Sequence, residues 1–409
     1  MRVLAFSFYF PPHGGPGSIR PLKMLKYGSR LGLEGTVIAA SESDYSICDD
    51  SLLGEVPSSF EIVRTPTGLD PLGFLRRARP GLIHAPKSDY IFLPDNKTWW
   101  VNPAVYLGTQ LEPRADIIWA TCPPYSAGTA AMIAARELGV PLVLDFRDSW
   151  TRNPNRPRLT FIHRLINRAK ARRVVSSASL VTCVYEAICT EMSELAPGTD
   201  VVHLSNGYDP EDQPAKRPKE IRGDKLRLFY LGTIYPNLNY PLPVLEAMLG
   251  LPEVSLCIAG RYPTRLLMDI ERLGIGEQVE LLGYLPHRES LERASAADLM
   301  LLYIDSRPLN RGQITSKTYE YLGLGKAILA CVPDNGEAAA LLEGYCGAFL
   351  ADPCNTDRIY GILEEILDRK MSGNLPVTEP REEHSRSFIA RQWVDLLYDV
   401  IKKYPKSSV

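Results

Sequence analysis

The sequence lacks several features that would place a protein in a class at once. No apolar run approaches the ~20 residues that a membrane-spanning helix needs, and one of the longest covers only residues 299–304. The first residues lead into Pro11-Pro12 without the cleavage pattern of a signal peptide. The 8 cysteines include no Cys-x-x-Cys pair, which predicts reduced, mostly buried thiols. We therefore expect a cytoplasmic protein rather than a secreted, disulfide-stapled or membrane-spanning one.

Familiar catalytic motifs and a strong charge bias are also missing. The chain has no Gly-x-x-x-x-Gly-Lys-Ser/Thr, no His-Glu-x-x-His, no Asp-x-Asp and no Gly-x-Ser-x-Gly. These absences argue against a P-loop, a zinc hydrolase, a metal–diphosphate site and an α/β-hydrolase. Because the 6 histidines stand apart, we expect no bound metal. A net charge of -2 predicts no nucleic-acid partner.

The sequence does contain a repeated rhythm of short β-rich run, turn and amphipathic helix. Its 409 residues suit two domains of about 150–200 residues each. Strands alternating with helices predict an α/β protein with parallel sheets. The predicted strands cover 3–8, 36–40, 116–120, 141–146, 226–231, 254–259, 279–282 and 299–304. The predicted helices cover 18–31, 126–138, 241–249, 264–273, 288–296 and 387–402.

Two segments interrupt this rhythm. Residues 48–109 are irregular and rich in Pro and Gly, so we predict an insertion of loops and short helices there. A polar connector follows residue 205 and ends near Lys225. Two successive α/β units joined by this connector imply two doubly wound domains facing a central cleft. Ligands in such sheets bind at the carboxyl ends of the strands.

One segment of the first half is strongly basic. No acidic residue lies between Ser149 and Tyr185. Such a segment is attracted to anionic lipid head groups, at about 1 kcal/mol per basic residue near the surface, although a solvated helix face would have the same composition. The basic residues are Arg152, Arg156, Arg158, Arg164, Arg168, Lys170, Arg172 and Arg173.

A glycine-rich turn follows the first predicted strand and opens the first helix. It includes His13, Gly14 and Gly15. Glycines allow backbone N–H groups to approach a phosphate or a sugar, and the helix N-terminus adds a positive dipole end. The alternative is a tight turn without a ligand. Because the third glycine of the dinucleotide fingerprint is missing, a nicotinamide oxidoreductase is disfavoured.

Charged residues follow two other predicted strands. Arg147 and Asp148 come after the strand that ends at Phe146, and they suit either a cleft site or a structural ion pair. Lys317 and Glu320 open a helix after the strand 299–304. Free N–H groups and a lysine at a helix N-terminus suit a diphosphate, although an exposed Lys–Glu pair would look the same.

Taken in order, these stretches resemble one family, the GT-B glycosyltransferases of family four, in the subgroup with a compact "YEYL" motif. The similarity spans nearly the whole chain. The matching stretches are Phe8-Tyr9-Phe10-Pro11-Pro12-His13-Gly14-Gly15, Asp145-Phe146-Arg147-Asp148-Ser149-Trp150, Asn206-Gly207-Tyr208-Asp209, Tyr230-Leu231-Gly232-Thr233, Leu282-Gly283-Tyr284 and Ser316-Lys317-Thr318-Tyr319-Glu320-Tyr321-Leu322.

The resemblance implies a GT-B fold with two Rossmann-like domains. It implies an acceptor-binding domain over 1–205, a nucleotide-sugar-binding domain over 206–385, and a C-terminal helix within 386–409 that crosses back to the first domain. The implied reaction is a retaining, metal-independent hexosyl transfer that needs no cofactor. The donor is a nucleoside-diphosphate sugar, with UDP favoured over GDP, and the acceptor is a hydroxyl of a glycan, a lipid-linked molecule or a small molecule.

By the same analogy, individual residues receive roles. The donor would contact residues of the second domain: Gly232, Thr233, Arg261, Leu282, Tyr284, Ser316, Lys317 and Glu320. The base would lie near Leu282 and Tyr284, the ribose at Glu320, and the diphosphate at Lys317. The acceptor side would include His13, Gly14, Gly15 and Arg147. Asp148 would orient the acceptor, and we group it with Lys317 as the catalytic pair.

The chain departs from the fuller family pattern in ways that leave alternatives open. Gly312 stands where the first of two glutamates is expected, and Thr233 and Asn239 replace an arginine and a lysine. Neutralisation of the diphosphate then falls to Arg261, Arg311 or Lys317. The alternatives are a non-catalytic GT-B subunit that binds a partner or a lipid surface, and a nucleotide-sugar 2-epimerase. The basic segment favours polysaccharide biosynthesis at the inner face of the cytoplasmic membrane.

Overall fold

A computed structural model describes residues 1–66, 92–153, 160–214, 225–236 and 238–404. The chain forms two compact units. The first comprises Met1–Ser205 and the chain from Arg386 onward, and the second comprises Asn206–Ser385. Among the described residues, no helix combines the length and apolar character needed to cross a bilayer.

The first unit is built on a parallel sheet of seven strands in the order β3-β2-β1-β4-β5-β6-β7. Its strands are β1 (Arg2–Phe6), β2 (Glu34–Ala39), β3 (Phe60–Arg64), β4 (Ile117–Cys122), β5 (Leu142–Phe146), β6 (Leu180–Cys183) and β7 (Val201–His203). Its helices are α1 (Pro16–Arg30), α2 (Val101–Thr109), α3 (Tyr125–Leu138), α4 (Phe161–Val175) and α5 (Glu186–Leu195), and the first unit also includes α12 (Arg386–Lys403).

The second unit has a parallel sheet of six strands in the order β10-β9-β8-β11-β12-β13. Its strands are β8 (Leu226–Leu231), β9 (Val254–Ala259), β10 (Val279–Gly283), β11 (Leu299–Tyr303), β12 (Ala327–Cys331) and β13 (Ala348–Ala351). Its helices are α6 (Leu242–Ala247), α7 (Thr264–Leu273), α8 (His287–Ser295), α9 (Ser316–Leu324), α10 (Glu337–Leu342) and α11 (Thr356–Met371).

Short 3₁₀ helices complete the described secondary structure. They cover Glu42–Asp44, Asp50–Glu55, Thr98–Trp100, Met248–Gly250, Gly276–Gln278, Pro308–Asn310 and Glu382–His384.

The predicted α/β class, with two doubly wound parallel sheets, is confirmed. Central strands such as β4 and β11 are buried at every position, as expected for parallel strands covered on both faces. In the first unit, α12 packs beside α1, and Trp393 packs against Trp119 of β4 with a centroid distance of 4.8 Å and ring planes tilted by 55°.

The prediction for residues 48–109 is wrong at one point, because this segment also contains β3. All five residues of β3, from Phe60 to Arg64, pair in parallel with β2. Only Phe60 is fully buried, since β3 lies at the edge of the sheet. An edge strand with partly exposed side chains lacks the continuous apolar run by which the central strands are recognised.

Candidate functional site

The order of the second sheet reverses between β8 and β11. β8 has β9 on one side and β11 on the other. The connection that follows β8 therefore runs toward β9, and the connection that follows β11 runs in the opposite direction, toward β12. Parallel α/β sheets bind their ligands at such a switch point. Gly232 and Thr233 directly follow β8, and α9 follows β11 along the chain. This edge is the candidate donor site of the second unit.

Lys317, in the first turn of α9, reaches across the turn after β8. Its Nζ donates a hydrogen bond to the hydroxyl of Tyr230 at 2.5 Å and lies 4.3 Å from the centroid of that ring. Nζ is also 3.4 Å from the carbonyl oxygen of Thr233. A Cβ on Gly232 would lie only 2.8 Å from Cε of Lys317. The absence of a side chain at Gly232 therefore lets the lysine cross this turn.

One further side chain, Asn239, holds the Tyr230 hydroxyl in place. Asn239 is buried, and its Nδ2 donates to Tyr230 Oη at 2.6 Å and to the carbonyl oxygen of Thr233 at 2.9 Å. The structure thus joins Lys317, Tyr230, Thr233 and Asn239 in one hydrogen-bonded cluster. Tyr230 is absent from the predicted site residues, and Asn239 entered only as a departure from the family pattern. The signal for Tyr230 was its place in the matched stretch Tyr230-Leu231-Gly232-Thr233.

The protonation of Lys317 is poised near neutral pH. Burial lowers its pKa to about 7, although the nearby Glu320 carboxylate acts in the opposite direction. At pH 7 the ammonium and amine forms are then about equally populated. An anion bound beside Nζ favours the ammonium form. Binding an anion at this position is therefore coupled to the uptake of a proton.

The N-terminus of α9 adds uncommitted hydrogen-bond donors beside this lysine. In the described part of the chain, no side chain caps the helix after Thr315. The Thr318 amide donates to the Thr315 carbonyl oxygen, whereas the amides of Ser316 and Lys317 precede the first intrahelical bond. Within the described ranges, the hydroxyls of Ser316 and Thr233 have no hydrogen-bond partner. Free N–H groups, a cation and the positive end of the helix dipole together suit an anion.

Glu320 lies one turn further along α9 and is half-buried. Its carboxylate makes no hydrogen bond or ion pair with any residue that the structure describes. Arg261 and Arg311 are exposed, and their side chains likewise have no partner in the described part of the chain. Of the three cations predicted to neutralise a diphosphate, Lys317 is therefore the one that the fold holds in place.

Backbone hydrogen bonds join the turns that follow β8, β9 and β10. The Gly232 amide donates to the Ala259 carbonyl oxygen at 2.7 Å, and the Gly260 amide donates to the Gly283 carbonyl oxygen at 2.7 Å. Gly260 has a φ of +147°, and a Cβ there would lie 2.2 Å from the Gly232 carbonyl oxygen. The Gly232 amide is already hydrogen-bonded within the unit. The hydroxyl of Thr233 is therefore better placed than this amide to donate a hydrogen bond to a phosphate.

The two residues predicted to lie near the base sit beside this group of turns. Leu282 is the penultimate residue of β10 and is half-buried. Tyr284 follows the strand and is 40% exposed. The structure therefore brings them to the same sheet edge as Gly232 and Gly260, with an accessible aromatic ring at Tyr284.

The candidate acceptor side of the first unit centres on His13, which is buried. The Gly15 amide donates to Nδ1 of His13 at 3.2 Å, and the Ser18 hydroxyl lies 2.7 Å from the same nitrogen. Since Nδ1 accepts from the amide, the ring proton resides on Nε2. Burial, with Arg147 and Lys97 nearby, lowers the pKa of His13 to about 4. His13 is therefore neutral at pH 7, with one N–H to donate.

The glycines beside His13 do not form the expected amide cradle. The Gly14 amide donates to the Ile47 carbonyl oxygen at 3.1 Å, while the Gly15 amide is bonded to His13. A Cβ on Gly15 would lie 2.4 Å from Cε1 of His13. Both amides are thus hydrogen-bonded within the unit, and their approach to a phosphate or sugar stays a prediction. These glycines shape the loop around His13.

Asp145, at the end of β5, is fully buried at the centre of a polar network. It accepts hydrogen bonds from Arg20 Nη2 at 2.8 Å, Thr182 Oγ1 at 2.8 Å and Thr121 Oγ1 at 3.1 Å. Burial alone would raise the pKa of this carboxyl, but the Arg20 guanidinium more than offsets it and holds the pKa below its ordinary value. Asp145 is therefore a structural carboxylate.

Arg147 braces the neighbouring loops. Its Nη1 donates to the Gly17 carbonyl oxygen at 2.9 Å, and its Nη2 donates to the carbonyl oxygen of Pro123. Burial lowers its pKa, while Asp148 and Asp145 act in the opposite direction. Its Nε is buried and has no hydrogen-bond partner among the residues that the structure describes. Arg147 thus braces these loops through backbone carbonyl groups, and Asp148 lies near it, half-buried.

Two features of the first unit were not predicted from the sequence. Glu191 of α5 is buried and accepts hydrogen bonds from the Thr151 amide at 2.6 Å and the Ser149 hydroxyl. It fixes the loop after β5. Lys97 lies close enough to His13 to influence its pKa. Neither residue belongs to a motif, so only the fold brings them to these places.

Comparison with known proteins agrees with this geometry. Residues 22–207 match the family model described as a glycosyl transferase 4-like domain. The match covers most of the first unit, which is thus similar to a glycosyl transferase 4-like domain. The resemblance to family-four glycosyltransferases of the GT-B fold is confirmed. No curated protein is similar enough in sequence to match the chain.

Three solved structures illustrate the fold that this chain shares. Anabaena Alr3699/HepE, solved with UDP and glucose, is 18% identical with a TM-score of 0.63, and the match covers 98% of this chain and 96% of that one. Sucrose-phosphate synthase from Thermosynechococcus elongatus is 12% identical with a TM-score of 0.72, covering 98% and 99%. A UDP-N-acetylglucosamine 2-epimerase is 12% identical with a TM-score of 0.57, covering 100% and 99%.

Proposed function

We propose that this protein is a retaining hexosyltransferase that moves a sugar from a UDP-sugar to a hydroxyl acceptor without a metal ion. The observation that carries the proposal is the position of Lys317. Its Nζ is held by Tyr230 at the switch point of the second sheet, beside an uncapped helix N-terminus. That arrangement suits the diphosphate of a nucleotide sugar.

The chemical step follows from this placement. The bond between the anomeric carbon of the sugar and the β-phosphate oxygen breaks, and negative charge develops on the departing UDP. The Lys317 ammonium and the N–H groups of Ser316 and Lys317 stabilise that charge as it forms. Such preorganised donors are typically worth roughly 2.7–4 kcal/mol each. They also take the part that a divalent cation would play, so no metal is required.

Glu320 is proposed to hold the nucleotide. Its half-buried carboxylate can accept hydrogen bonds from both ribose hydroxyls, and no other described residue competes for it. The preference for UDP over GDP is supported by HepE, whose structure contains UDP. Leu282 and Tyr284 would contact the base, the latter through its exposed ring.

The acceptor is assigned to the first unit. His13 is neutral and offers its Nε2–H, while Asp148 can accept a hydrogen bond from the acceptor hydroxyl. The departing phosphate itself takes the acceptor proton. We further propose a lipid-linked acceptor of polysaccharide biosynthesis at the inner face of the cytoplasmic membrane, supported by the basic residues between Arg152 and Arg173. Arg156 and Arg158 lie outside the described residues.

A titration of the full chain with UDP, GDP and NAD tests the donor site. We expect UDP to bind more tightly than GDP, and NAD not to bind. Glu320→Ala should weaken UDP binding by roughly 10- to 100-fold, the worth of hydrogen bonds to a charged group. Glu271→Ala, an exposed glutamate on α7, is the matched control and should leave binding unchanged. No binding of any nucleoside diphosphate would favour the non-catalytic subunit instead.

Turnover of UDP-sugars tests the catalytic role of Lys317. Lys317→Ala should lower the rate of sugar release by about 10²–10³-fold, with a modest change in donor affinity. This follows because Lys317 acts mainly on the charge that develops as UDP leaves. Unchanged turnover would contradict the assignment. Nuclear magnetic resonance of the products separates transfer or hydrolysis from inversion at C2, which would identify a 2-epimerase.

A further inference from the structure

Asp148 lies in the loop after β5, between two residues that are held in place. On one side, the Arg147 amide donates a hydrogen bond to the Cys122 carbonyl oxygen at 2.7 Å. On the other side, the Ser149 carbonyl oxygen accepts a hydrogen bond from the Tyr125 hydroxyl. Asp148 itself is half-buried. The position of its carboxylate therefore depends on how firmly this loop is fixed.

A buried carboxylate of helix α5 holds the part of the loop that follows Asp148. Glu191 is 1% exposed. Its Oε1 accepts hydrogen bonds from the Thr151 amide at 2.6 Å and from the Thr151 hydroxyl at 2.8 Å. Its Oε2 accepts a hydrogen bond from the Ser149 hydroxyl, whose oxygen in turn accepts from the Arg152 amide at 2.8 Å. Both oxygens of Glu191 are therefore used to fix this loop.

The residue between those two anchored positions is packed into the unit. Trp150 is 1% exposed, and its ring stacks on Tyr125 with a centroid distance of 4.7 Å and an interplanar angle of 16°. Its Nε1 donates a hydrogen bond to Oδ1 of Asn167 at 3.2 Å. The chain that follows Asp148 is thus anchored at three consecutive residues.

The charge of Glu191 makes this anchor a strong one. Burying an ionised carboxylate is costly unless hydrogen bonds compensate for the lost water. Three donors compensate Glu191, and hydrogen bonds to a charged acceptor are stronger than those between neutral groups. A displacement of about 1 Å at reacting groups can lower a rate by about 10²-fold. An anchor of this kind can therefore control a reaction from a distance.

We propose that Glu191 is a positioning residue of the transfer reaction. It holds Ser149, and through Ser149 it keeps the carboxylate of Asp148 where that carboxylate meets the nucleophilic oxygen. This role rests on the proposed function, in which Asp148 accepts a hydrogen bond from the acceptor hydroxyl. Because Glu191 is buried and its oxygens are used by the loop, it acts only through Asp148.

The role is tested by hydrolysis of a UDP-sugar, in which water takes the place of the acceptor. The water oxygen bonds to the anomeric carbon while the bond to the β-phosphate oxygen breaks, and UDP leaves with the electron pair and takes up the proton. The probe is the best hydrolysed of UDP-glucose, UDP-galactose and UDP-N-acetylglucosamine. Glu191→Ala should lower kcat by at least about tenfold and change KM by less than about twofold, because the second unit holds the donor.

Two variants of the same contact guard against a loss of folding. Glu191→Gln keeps an oxygen that can accept from Thr151, and it should recover most of the rate. Ser149→Ala removes only the hydroxyl that reaches Glu191, and it should lower kcat in the same direction as Glu191→Ala. The matched control is Glu194→Ala on the same helix. Glu194 pairs with Arg152 of the same loop, but both side chains are 45% exposed, so kcat and KM should stay at the wild-type level.

A double-variant cycle separates positioning from a contribution to stability alone. If Glu191 acts through Asp148, the variant Asp148→Asn/Glu191→Ala should be no slower than Asp148→Asn. A loss of folded enzyme would instead multiply the effect of Asp148→Asn, and multiplied losses would overturn the inference. Ser149→Ala takes the place of Glu191→Ala in this cycle if the latter does not fold.

Two further results have distinct meanings. A wild-type rate in folded Glu191→Ala and Ser149→Ala, or in Asp148→Asn, would overturn the positioning role while leaving the proposed activity intact. Wild-type protein that binds UDP in calorimetry but hydrolyses none of the three donors would contradict the proposed activity, and the positioning role would fall with it.

Discussion

Lys317 is the residue whose chemistry depends most on its surroundings. Its burial against Tyr230 lowers its pKa to about 7, so the fold holds a lysine that is only half charged at neutral pH. A diphosphate restores the full charge. In the proposed reaction, UDP carries more negative charge than a UDP-sugar and would therefore gain more from this lysine, which would favour departure of the leaving group.

The affinity for UDP should therefore fall as pH rises above 7. The free site loses its proton through a pKa of about 7, whereas the complex keeps it, so binding at about pH 8.5 should be roughly tenfold weaker than at pH 7. Calorimetry in two buffers with different ionisation enthalpies should detect uptake of about half a proton at pH 7. Lys317→Arg, always charged, should show a flatter profile. Equal affinity at both pH values would contradict a lowered pKa.

Asp145 illustrates a different kind of residue, one whose charge serves stability. Asp145→Asn leaves Arg20 buried without its partner and should lower the free energy of unfolding by about 3–5 kcal/mol. Asp200→Asn removes an ion pair with Lys403 in which both side chains are more than half exposed, and it should cost less than about 1 kcal/mol. Urea unfolding at pH 7 measures both, and equal effects would contradict the structural role.

The pH dependence of this effect has a defined sign. The folded-state pKa of Asp145 lies below the value of 3.8 for an unperturbed aspartate, so the unfolded chain takes up the proton first as pH falls. The contribution of the Asp145 carboxylate to the free energy of unfolding is complete above about pH 4 and is lost on further acidification. The difference between wild type and Asp145→Asn should shrink correspondingly in unfolding measured at acidic pH.

At the scale of elements, several central strands and the edge strand β10 were predicted from the sequence, whereas β3, β6, β7, β12 and β13 were not. β8 and β9 were predicted with their observed ends because each is a short apolar run that stops at a glycine, Gly232 or Gly260. β3 was missed because its exposed side chains break that pattern. The physical cause is that burial on two faces produces the apolar run, and an edge strand has less of it.

The candidate site shows the same division. The sequence suggested Lys317 and Glu320 because a helix N-terminus has a recognisable pattern. It did not suggest that Tyr230 and Asn239 would hold the lysine, since those contacts join residues 87 and 9 positions apart. The basic character of α4 was visible in the composition, but the exposure of its apolar side chains Phe161, Ile162 and Leu165 was not, because which face of a helix is covered depends on its packing.

At the scale of the whole molecule, the stability of the first unit depends on the packing of α12. Trp393 is fully buried against Trp119 and approaches Gly28 of α1. Trp393→Ala should lower the stability of the first unit by about 3–5 kcal/mol. Tyr398→Ala, at a position that is 40% exposed on the same helix, is the control and should cost less than about 1 kcal/mol.

Two units with separate cores are expected to unfold in separate transitions. Calorimetry of the Trp393→Ala variant should therefore shift the transition of the first unit and leave that of the second in place. A shift of both by the same amount would show that the chain unfolds as a single cooperative body.

The connectivity of α12 also sets an order of events during synthesis. The second unit is one continuous stretch, and its two ends meet where Tyr208 pairs with Ser385. The ribosome completes this stretch before it reaches Arg386. Most of the first unit is translated earlier. The Trp119 side of its sheet nevertheless stays uncovered until α12 has been synthesised, so this unit cannot complete its core before then. The half of the protein that begins the chain is therefore the half that finishes folding second.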